Sequence, residues 1–181
     1  GSGGTTMTAN CPNGSCCGGD LVGTWTVTSS CLALSGDMDG YLLYLGCPKV
    51  PVTGSLSVTG TWTANSDGTY TDNTTTTGSI TFPLSPSCLT VSSTPVKCAN
   101  IAGTFTAAGW TTATCETDAG GECKCSATAD QKRGIGAIYP VATDKGTYQT
   151  TGGALRVDDE AEYSYCVSGN TLTLTPKSEV L

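Results

Sequence analysis

Cysteine is the residue type with the most chemistry to offer in this chain, because eleven of its 181 residues are Cys and none is His. A thiolate can form a disulfide, bind a metal ion or act as a nucleophile. Metal sites and nucleophilic triads usually recruit His, which is missing here. Reducing compartments keep thiols from pairing, so this Cys content is typical of exported proteins. We therefore predict an exported protein with five disulfides and one leftover thiol.

The spacing of the cysteines favours disulfides over zinc but does not fix their pairing. In the Cys123-Lys124-Cys125 segment both sulfurs face one side of a predicted strand, and no His accompanies them. Two long connections favour the local pairs Cys31–Cys47 and Cys88–Cys98. The disulfide candidates are Cys31, Cys47, Cys88, Cys98, Cys115, Cys123, Cys125 and Cys166.

The remaining cysteines, Cys11, Cys16 and Cys17, lie in residues 1–19, which we predict to be a flexible tether before one domain at residues 20–181. The opening Gly1-Ser2-Gly3-Gly4-Thr5-Thr6 is typical of linkers. It fits either an expression remnant or the spacer behind the lipid-bearing cysteine of a bacterial lipoprotein. The three cysteines are expected to staple the tether to the domain or to join it to a neighbouring chain.

Aromatic side chains provide the candidate ligand-binding residues. Rings on the inner face of a barrel can line a cavity for a small apolar or aromatic ligand. The alternative is that they fill the core to native density. The candidates are Trp25, Trp62, Tyr70, Phe82, Tyr148 and Tyr165.

Acidic residues suggest no catalytic or metal centre. The Asp158-Asp159-Glu160 run, with Glu162, is expected to be a solvated turn and edge, with a weak cation site as the alternative. The segment Gly36–Gly40 lacks the further oxygen ligands of a calcium loop, so we expect a turn. Because the usual triads need His, we predict no enzymatic activity and no cofactor.

The composition excludes several partners. Eight Lys and Arg against fifteen Asp and Glu give a net charge of −7. That balance argues against nucleic acid and against anionic lipid. The chain has no apolar stretch long enough for a transmembrane helix.

Period-two patterning predicts an all-β fold. Leu21, Trp25 and Val27 share one face of a strand, and the same design recurs at residues 56–63. Further strands are expected at 68–75, 77–83, 103–107, 110–116, 121–129, 145–151, 153–158, 161–167 and 170–175. Residues 41–45 are predicted to form a helical turn or a capping loop, and residues 84–101 a second long connection. About ten short strands favour an antiparallel up-and-down barrel of about 8–10 strands, with a sandwich as second choice.

Short motifs in these strands resemble a known family. Leu21-Val22-Gly23-Thr24-Trp25 resembles the Gly-x-Trp opening of lipocalins and, more closely, the Leu-x-Gly-Thr-Trp opening of bacterial lipocalin-like domains. Residues 66–71, Gly146-Thr147-Tyr148 and the hairpin at 165–174 are similar to the same bacterial group. The resemblance covers about 21–75 and 145–175. It implies an up-and-down barrel with a Trp closing one end and a ligand cavity inside.

Two functions follow as expectations. The first is an exported, non-enzymatic, lipocalin-like protein that binds a small apolar or aromatic ligand. The second is a structural or protein-interaction module of a cell surface or extracellular assembly, joined through its N-terminal segment. We expect the protein in the periplasm, tethered to the outer membrane as a lipoprotein, or outside the cell.

Overall fold

The structure, a computed structural model, describes residues 2–8 and 17–176, with only the backbone described for residues 2–8. Within these ranges the strands are β1 (Ser2–Thr8), β2 (Gly23–Asp39), β3 (Lys49–Ala64), β4 (Thr69–Leu84), β5 (Thr90–Val91), β6 (Thr94–Pro95), β7 (Thr112–Thr117), β8 (Cys123–Lys132), β9 (Lys145–Thr151), β10 (Ala154–Val157), β11 (Ala161–Ser168) and β12 (Thr171–Pro176). The helical elements are α1 (Ala102–Ala107) and 3₁₀ turns at Gly40–Leu43, Pro86–Cys88 and Cys98–Asn100.

The main sheet curls into a nearly closed antiparallel barrel, which confirms the predicted fold class. Seven strands follow one another as antiparallel neighbours, in the order β2-β3-β4-β9-β10-β11-β12. An odd number of alternating strands leaves two edges, β2 and β12, that run in the same direction. Strand β1 lies between these edges and runs parallel to both.

Strand β4 belongs to two parts of the sheet at once. Its first residues, Thr69–Thr71, pair with β9 in the barrel, and Thr75–Leu84 pair with β8. Strands β8 and β7 thereby extend the sheet beyond the barrel. The sequence predicted two strands here, at 68–75 and 77–83, but the alternation of buried and exposed residues continues without a break through Thr76.

Apolar side chains on the inner face of the strands form the core. Ile80, Leu155, Leu172 and Leu174 are fully buried there. Each such side chain contributes roughly 1.5–3 kcal/mol on burial. Strand β2 keeps its apolar residues inward because an extra residue shifts the register between Thr26 and Leu32.

The segment that follows β8 folds inward over the core. The backbone N–H groups of Ile135 and Gly136 donate to the hydroxyls of Thr74 and Thr76, at 3.2 and 3.1 Å. Gly136 has φ +92°, and a Cβ atom there would lie 3.1 Å from the Leu32 side chain. A glycine is therefore favoured at this point for both conformation and space.

The strand predicted at 103–107 is wrong, because residues Ala102–Ala107 form helix α1. Ile101 and Phe105 are fully buried and Ala108 half-buried, a spacing of four and then three residues that suits a helix face. Residues Gly40–Leu43 form a 3₁₀ turn, so the helical turn, one of the two alternatives given for residues 41–45, is present over the first part of that range.

Four disulfides link the described part of the chain, namely Cys17–Cys166, Cys47–Cys88, Cys98–Cys123 and Cys115–Cys125. Both local pairs predicted from the sequence are therefore wrong. Cys31 has no disulfide partner among the described residues and is exposed on β2 rather than facing Cys47. Cys17 is bonded to β11, so its sulfur is not available to a neighbouring chain. The predictions for Cys11 and Cys16 fall outside the described residues.

The disulfides indicate that the chain folds in an oxidising, extracytoplasmic compartment. Within residues 2–8 and 17–176, none of the helices is long and apolar enough to cross a bilayer.

Candidate functional site

Three of the six candidate rings meet on the inner face of the barrel. The Trp62 indole stacks on the Tyr70 ring with centroids 5.5 Å apart and meets the edge of Tyr148 at 5.9 Å. Trp25 is the cross-strand partner of Trp62 in the β2–β3 register. Side chains alternate between the two faces of a strand, and all of these rings occupy positions on the inner face. We call Trp62, Tyr70 and Tyr148 the ring cluster.

The other candidates lie apart from the ring cluster. Phe82 contacts Phe105 of α1, with ring centroids 4.3 Å apart, under the part of the sheet that extends beyond the barrel. The Tyr165 hydroxyl donates to the backbone carbonyl of Gly19 at 3.2 Å, where the chain enters the barrel. These two residues therefore do not share one site with Tyr70.

Most polar atoms of the inward rings already bond to the protein. The Trp25 Nε1–H donates to the carbonyl of Leu21 at 2.8 Å, and the Tyr148 hydroxyl to that of Asn65 at 2.6 Å. The Tyr163 hydroxyl donates to the carbonyl of Ile135 at 3.1 Å. Trp62 differs, because its buried Nε1–H has no acceptor among the described residues.

Beside the ring cluster lies a cavity of about 250 Å³, between β4, the turn that joins β10 to β11, and the segment 133–145. Three tyrosines, Tyr70, Tyr139 and Tyr163, form part of its wall, and we call it the tyrosine cavity. The aliphatic part of the wall consists of Ile135, Val141, Ala142, Val157 and Ala161. Tyr70 connects the two features, because it stacks on Trp62 and also lines the cavity.

Asp158 is held at the rim of the cavity by the turn that carries it. Asp158 has φ +52°, in the left-handed region that Asp tolerates better than most residues. Its carboxylate accepts the backbone N–H of Thr147 at 2.9 Å and the hydroxyl of Tyr70. This hydrogen bond and the burial of the ring raise the pKa of Tyr70, with burial the larger cause.

Asp72 is the second carboxylate of the cavity and is almost fully buried, with 1% of its surface exposed. It accepts the backbone N–H of Thr74 at 2.8 Å, the Thr74 hydroxyl at 2.6 Å and the N–H of Gly134 at 2.8 Å. Desolvation raises the pKa of Asp72, while these hydrogen bonds oppose the rise. The carboxylate thus binds segment 133–145 to the inner face of β4.

Negative charge dominates the tyrosine cavity. Its wall carries three carboxylates, Asp72, Asp158 and Glu160, against one ammonium group, that of Lys145. Burial, and after it the charges of Glu160 and Asp158, raises the pKa of Tyr139 to about 12. Among the described residues no group of His, Cys, Asp and Glu side chains is arranged to hold a metal ion.

Two larger grooves open on the surface. One, of about 750 Å³, lies on the outer face of β3, β4, β7 and β8, where Lys124 pairs with Asp118 at 2.9 Å. The other, of about 700 Å³, has a largely aliphatic wall near α1 that includes Leu43, Val91 and Val96. Neither wall contains a buried charged group, in contrast to the tyrosine cavity.

Sequence reasoning missed Asp72, Tyr139 and Tyr163 as wall residues, and it assigned Asp158 to a solvated edge. A signal for Asp72 was present, because it lies two residues after Tyr70 and so shares its inward face. Tyr163 likewise lies two residues before the inward Tyr165. Tyr139 sits in a segment without periodicity, where no pattern indicates its direction.

No family model, curated protein or solved structure matches this chain. The strand pairings alone therefore establish the barrel, and the lipocalin-like motifs stay a resemblance.

Proposed function

We propose that the protein is an exported, non-enzymatic binding protein of lipocalin-like architecture that holds a small ligand in the tyrosine cavity. The observation that carries this proposal is the wall itself, where Tyr70, Tyr139 and Tyr163 stand beside aliphatic side chains and two anchored carboxylates. Apolar and aromatic walls with a few convergent polar groups are typical of small-molecule sites. The part of the ligand that contacts these walls is aromatic or apolar.

We also propose where the protein is located. The disulfides support an oxidising compartment. We propose that the protein acts in the periplasm, at the outer membrane as a lipoprotein, or outside the cell.

Intrinsic tryptophan fluorescence tests the binding proposal, because Trp62 stacks on Tyr70 at 5.5 Å and Tyr70 lines the cavity. The panel contains hydrophobic dyes, fatty acids and small aromatic alcohols and amines. We expect a saturable change with at least one class. Ala142→Phe, which adds a ring to the cavity wall, should abolish that change. The matched control is Ala119→Phe, on the exposed turn between β7 and β8.

Two results would overturn the binding proposal. One is a fluorescence that no member of the panel changes in a saturable way. The other is a change of equal size in Ala142→Phe, which would move the binding site away from the tyrosine cavity. Circular dichroism on each variant checks that the barrel is folded.

A second function, an interaction module of a cell surface or extracellular assembly, is favoured by the gap between β2 and β12. These edges run in the same direction, and β1 fills the gap by pairing with both. A strand that pairs on both sides through its backbone can be exchanged between identical chains without a change of contacts. The occupant in such an assembly is the β1 strand of a second copy.

Light scattering at several concentrations, with reducing and non-reducing electrophoresis, tests the assembly. Isotope-labelled and unlabelled copies, unfolded and refolded together, should give mixed dimers in native mass spectrometry. A protein that stays monomeric at every concentration would refute the exchange. Deletion of residues 1–8 should remove the dimer if β1 carries it.

A further inference from the structure

The carboxylates of the tyrosine cavity have unused capacity to accept hydrogen bonds. An ionised carboxylate offers about four acceptor positions. Asp158 uses two of them, for Thr147 and Tyr70. Asp72 uses three, for Thr74 twice and Gly134 once. Both groups therefore remain able to accept from a donor that enters the cavity.

The charge of the wall is not balanced by its own residues. Three carboxylates face one ammonium group, and that ammonium belongs to the exposed Lys145. The nearby Arg133 guanidinium lies 3.8 Å from Asp144 and also acts on Asp72, so its single charge is shared between two carboxylates and an excess of negative charge remains. A ligand that carries a positive charge would offset the excess.

The aromatic part of the wall also favours a positively charged ligand. Tyr70, Tyr139 and Tyr163 line the cavity together with the carboxylates. The faces of aromatic rings attract cations, most strongly where water is excluded, and quaternary ammonium groups are bound by aromatic cages for this reason. One face of Tyr70 is taken by Trp62, so Tyr139 and Tyr163 are the rings with which a cation in the cavity could make this contact, beside the fixed carboxylates.

We infer that the tyrosine cavity binds a small organic cation, an ammonium or quaternary ammonium group on a short apolar chain. This inference rests on the proposed binding function and names the chemical class of its ligand. The cavity of about 250 Å³ holds about eight non-hydrogen atoms, if each takes about 30 Å³ as a water does. An ion of this size matches the volume of the cavity.

Choline and its neutral isostere 3,3-dimethylbutan-1-ol test the charge, because they share one shape and differ in a single central atom. We expect choline to bind at least about tenfold more tightly, measured by calorimetry and by tryptophan fluorescence. The affinity for choline should fall as sodium chloride is added, because salt screens the carboxylates at the rim.

Asp158→Asn removes one charge and keeps one oxygen that can accept the Tyr70 hydroxyl, while its amide nitrogen cannot accept the N–H of Thr147. We expect it to weaken the binding of choline about tenfold and that of the neutral alcohol by a clearly smaller factor. The matched control is Asp159→Asn, one residue along the same turn, whose carboxylate contacts Arg156 at 3.6 Å and does not line the cavity. Glu160→Gln is a second wall variant, at an exposed position, in case Asp158→Asn does not fold.

The outcomes separate this inference from the proposed function. If the neutral alcohol binds as tightly as choline, or if only neutral members of the panel bind, the cation inference is overturned and the binding function stands. If no ligand of either kind binds, both are overturned. Equal losses of choline affinity in Asp158→Asn and Asp159→Asn would also overturn the cation inference, because they would reflect general surface charge.

Discussion

Asp72 shows how a single inward position can carry a polar role inside a barrel. Its inward direction follows the period-two pattern of β4, in which Tyr70, Asp72 and Thr74 alternate with exposed residues, although it was not singled out from the sequence. The residue type argues for exposure, because a buried carboxylate is costly unless it is hydrogen-bonded. The donors that compensate it are Thr74 and Gly134, and Gly134 comes from a distant segment that no local pattern connects with β4.

The raised pKa of Asp72 predicts a pH dependence of stability. Its folded-state pKa lies above the unfolded value of about 3.9, so the folded state binds more protons between the two values. The free energy of unfolding therefore decreases as pH rises through that window. Compared with Asp72→Asn, which cannot titrate, the wild type should lose relative stability from about pH 4 upward.

Urea unfolding of both proteins at several pH values between 4 and 7 measures this difference. The Asp72→Asn variant itself is expected to be less stable at every pH, because an amide nitrogen replaces one of the accepting oxygens. The prediction is tested only by how the difference in the free energy of unfolding between the two proteins changes with pH. A slope of zero, or one in which the wild type gains on Asp72→Asn with rising pH, would contradict it.

At the scale of elements, alternation predicts strands well and fails where segments have no period. The strand predicted at 145–151 coincides with β9, and the last two strands were placed within one residue of β11 and β12. Helix α1 was missed because only a few of its residues are apolar. The apolar positions Ile101, Phe105 and Ala108 cover about two helical turns, which is too short for a recognisable helical pattern. The inward segment after β8 is rich in Gly, and its direction depends on hydroxyl groups of β4.

Thr76→Val tests how β4 holds that segment. Thr76 is fully buried, and its hydroxyl accepts the backbone N–H of Gly136 at 3.1 Å. Valine has a similar shape but no acceptor, so the buried N–H is left without a partner at a cost of about 1–3 kcal/mol. Thr77→Val is the matched control, because Thr77 is the next residue and is exposed on the outer face of the same strand.

Chemical denaturation gives the loss of stability, and hydrogen exchange locates it. In Thr76→Val the amide of Gly136 should exchange faster than in the wild type, while Thr77→Val should stay within about 0.5 kcal/mol of the wild type. Equal effects of the two substitutions would show that the hydroxyl of Thr76 does not secure the segment.

At the scale of the whole molecule, the disulfide pattern was the part least accessible from the sequence. The strand geometry correctly places Cys123 and Cys125 on one side of β8, and both are buried. Their partners are Cys98, in a 3₁₀ turn, and Cys115, in β7. The fold brings both close to β8. Pairing follows proximity in the folded state, which depends on the path of long connections rather than on spacing along the chain.

The Cys17–Cys166 disulfide closes the longest loop of the four, with a sequence separation of 149 residues. A cross-link stabilises a protein mainly by restricting its unfolded chain, and the effect grows with the loop that it closes. The other three disulfides shorten the effective loop, so we expect removal of this one to cost about 4–5 kcal/mol. Cys17 is exposed and Cys166 half-buried, so little cavity energy adds to this value.

Guanidinium unfolding of Cys17→Ala, Cys166→Ala and the double variant tests this account. Either single substitution breaks the bond, so each should cost nearly as much as both together, and all three should show a larger dependence on denaturant, because the unfolded chain expands. Cys31→Ala is the control, because its sulfur is exposed and has no partner among the described residues, and it should change stability by no more than about 0.5 kcal/mol. The account would be contradicted if the stability losses of the two single variants add up in the double variant, or if the double variant loses less than about 1 kcal/mol. In either case the disulfide would not act by restricting the unfolded chain.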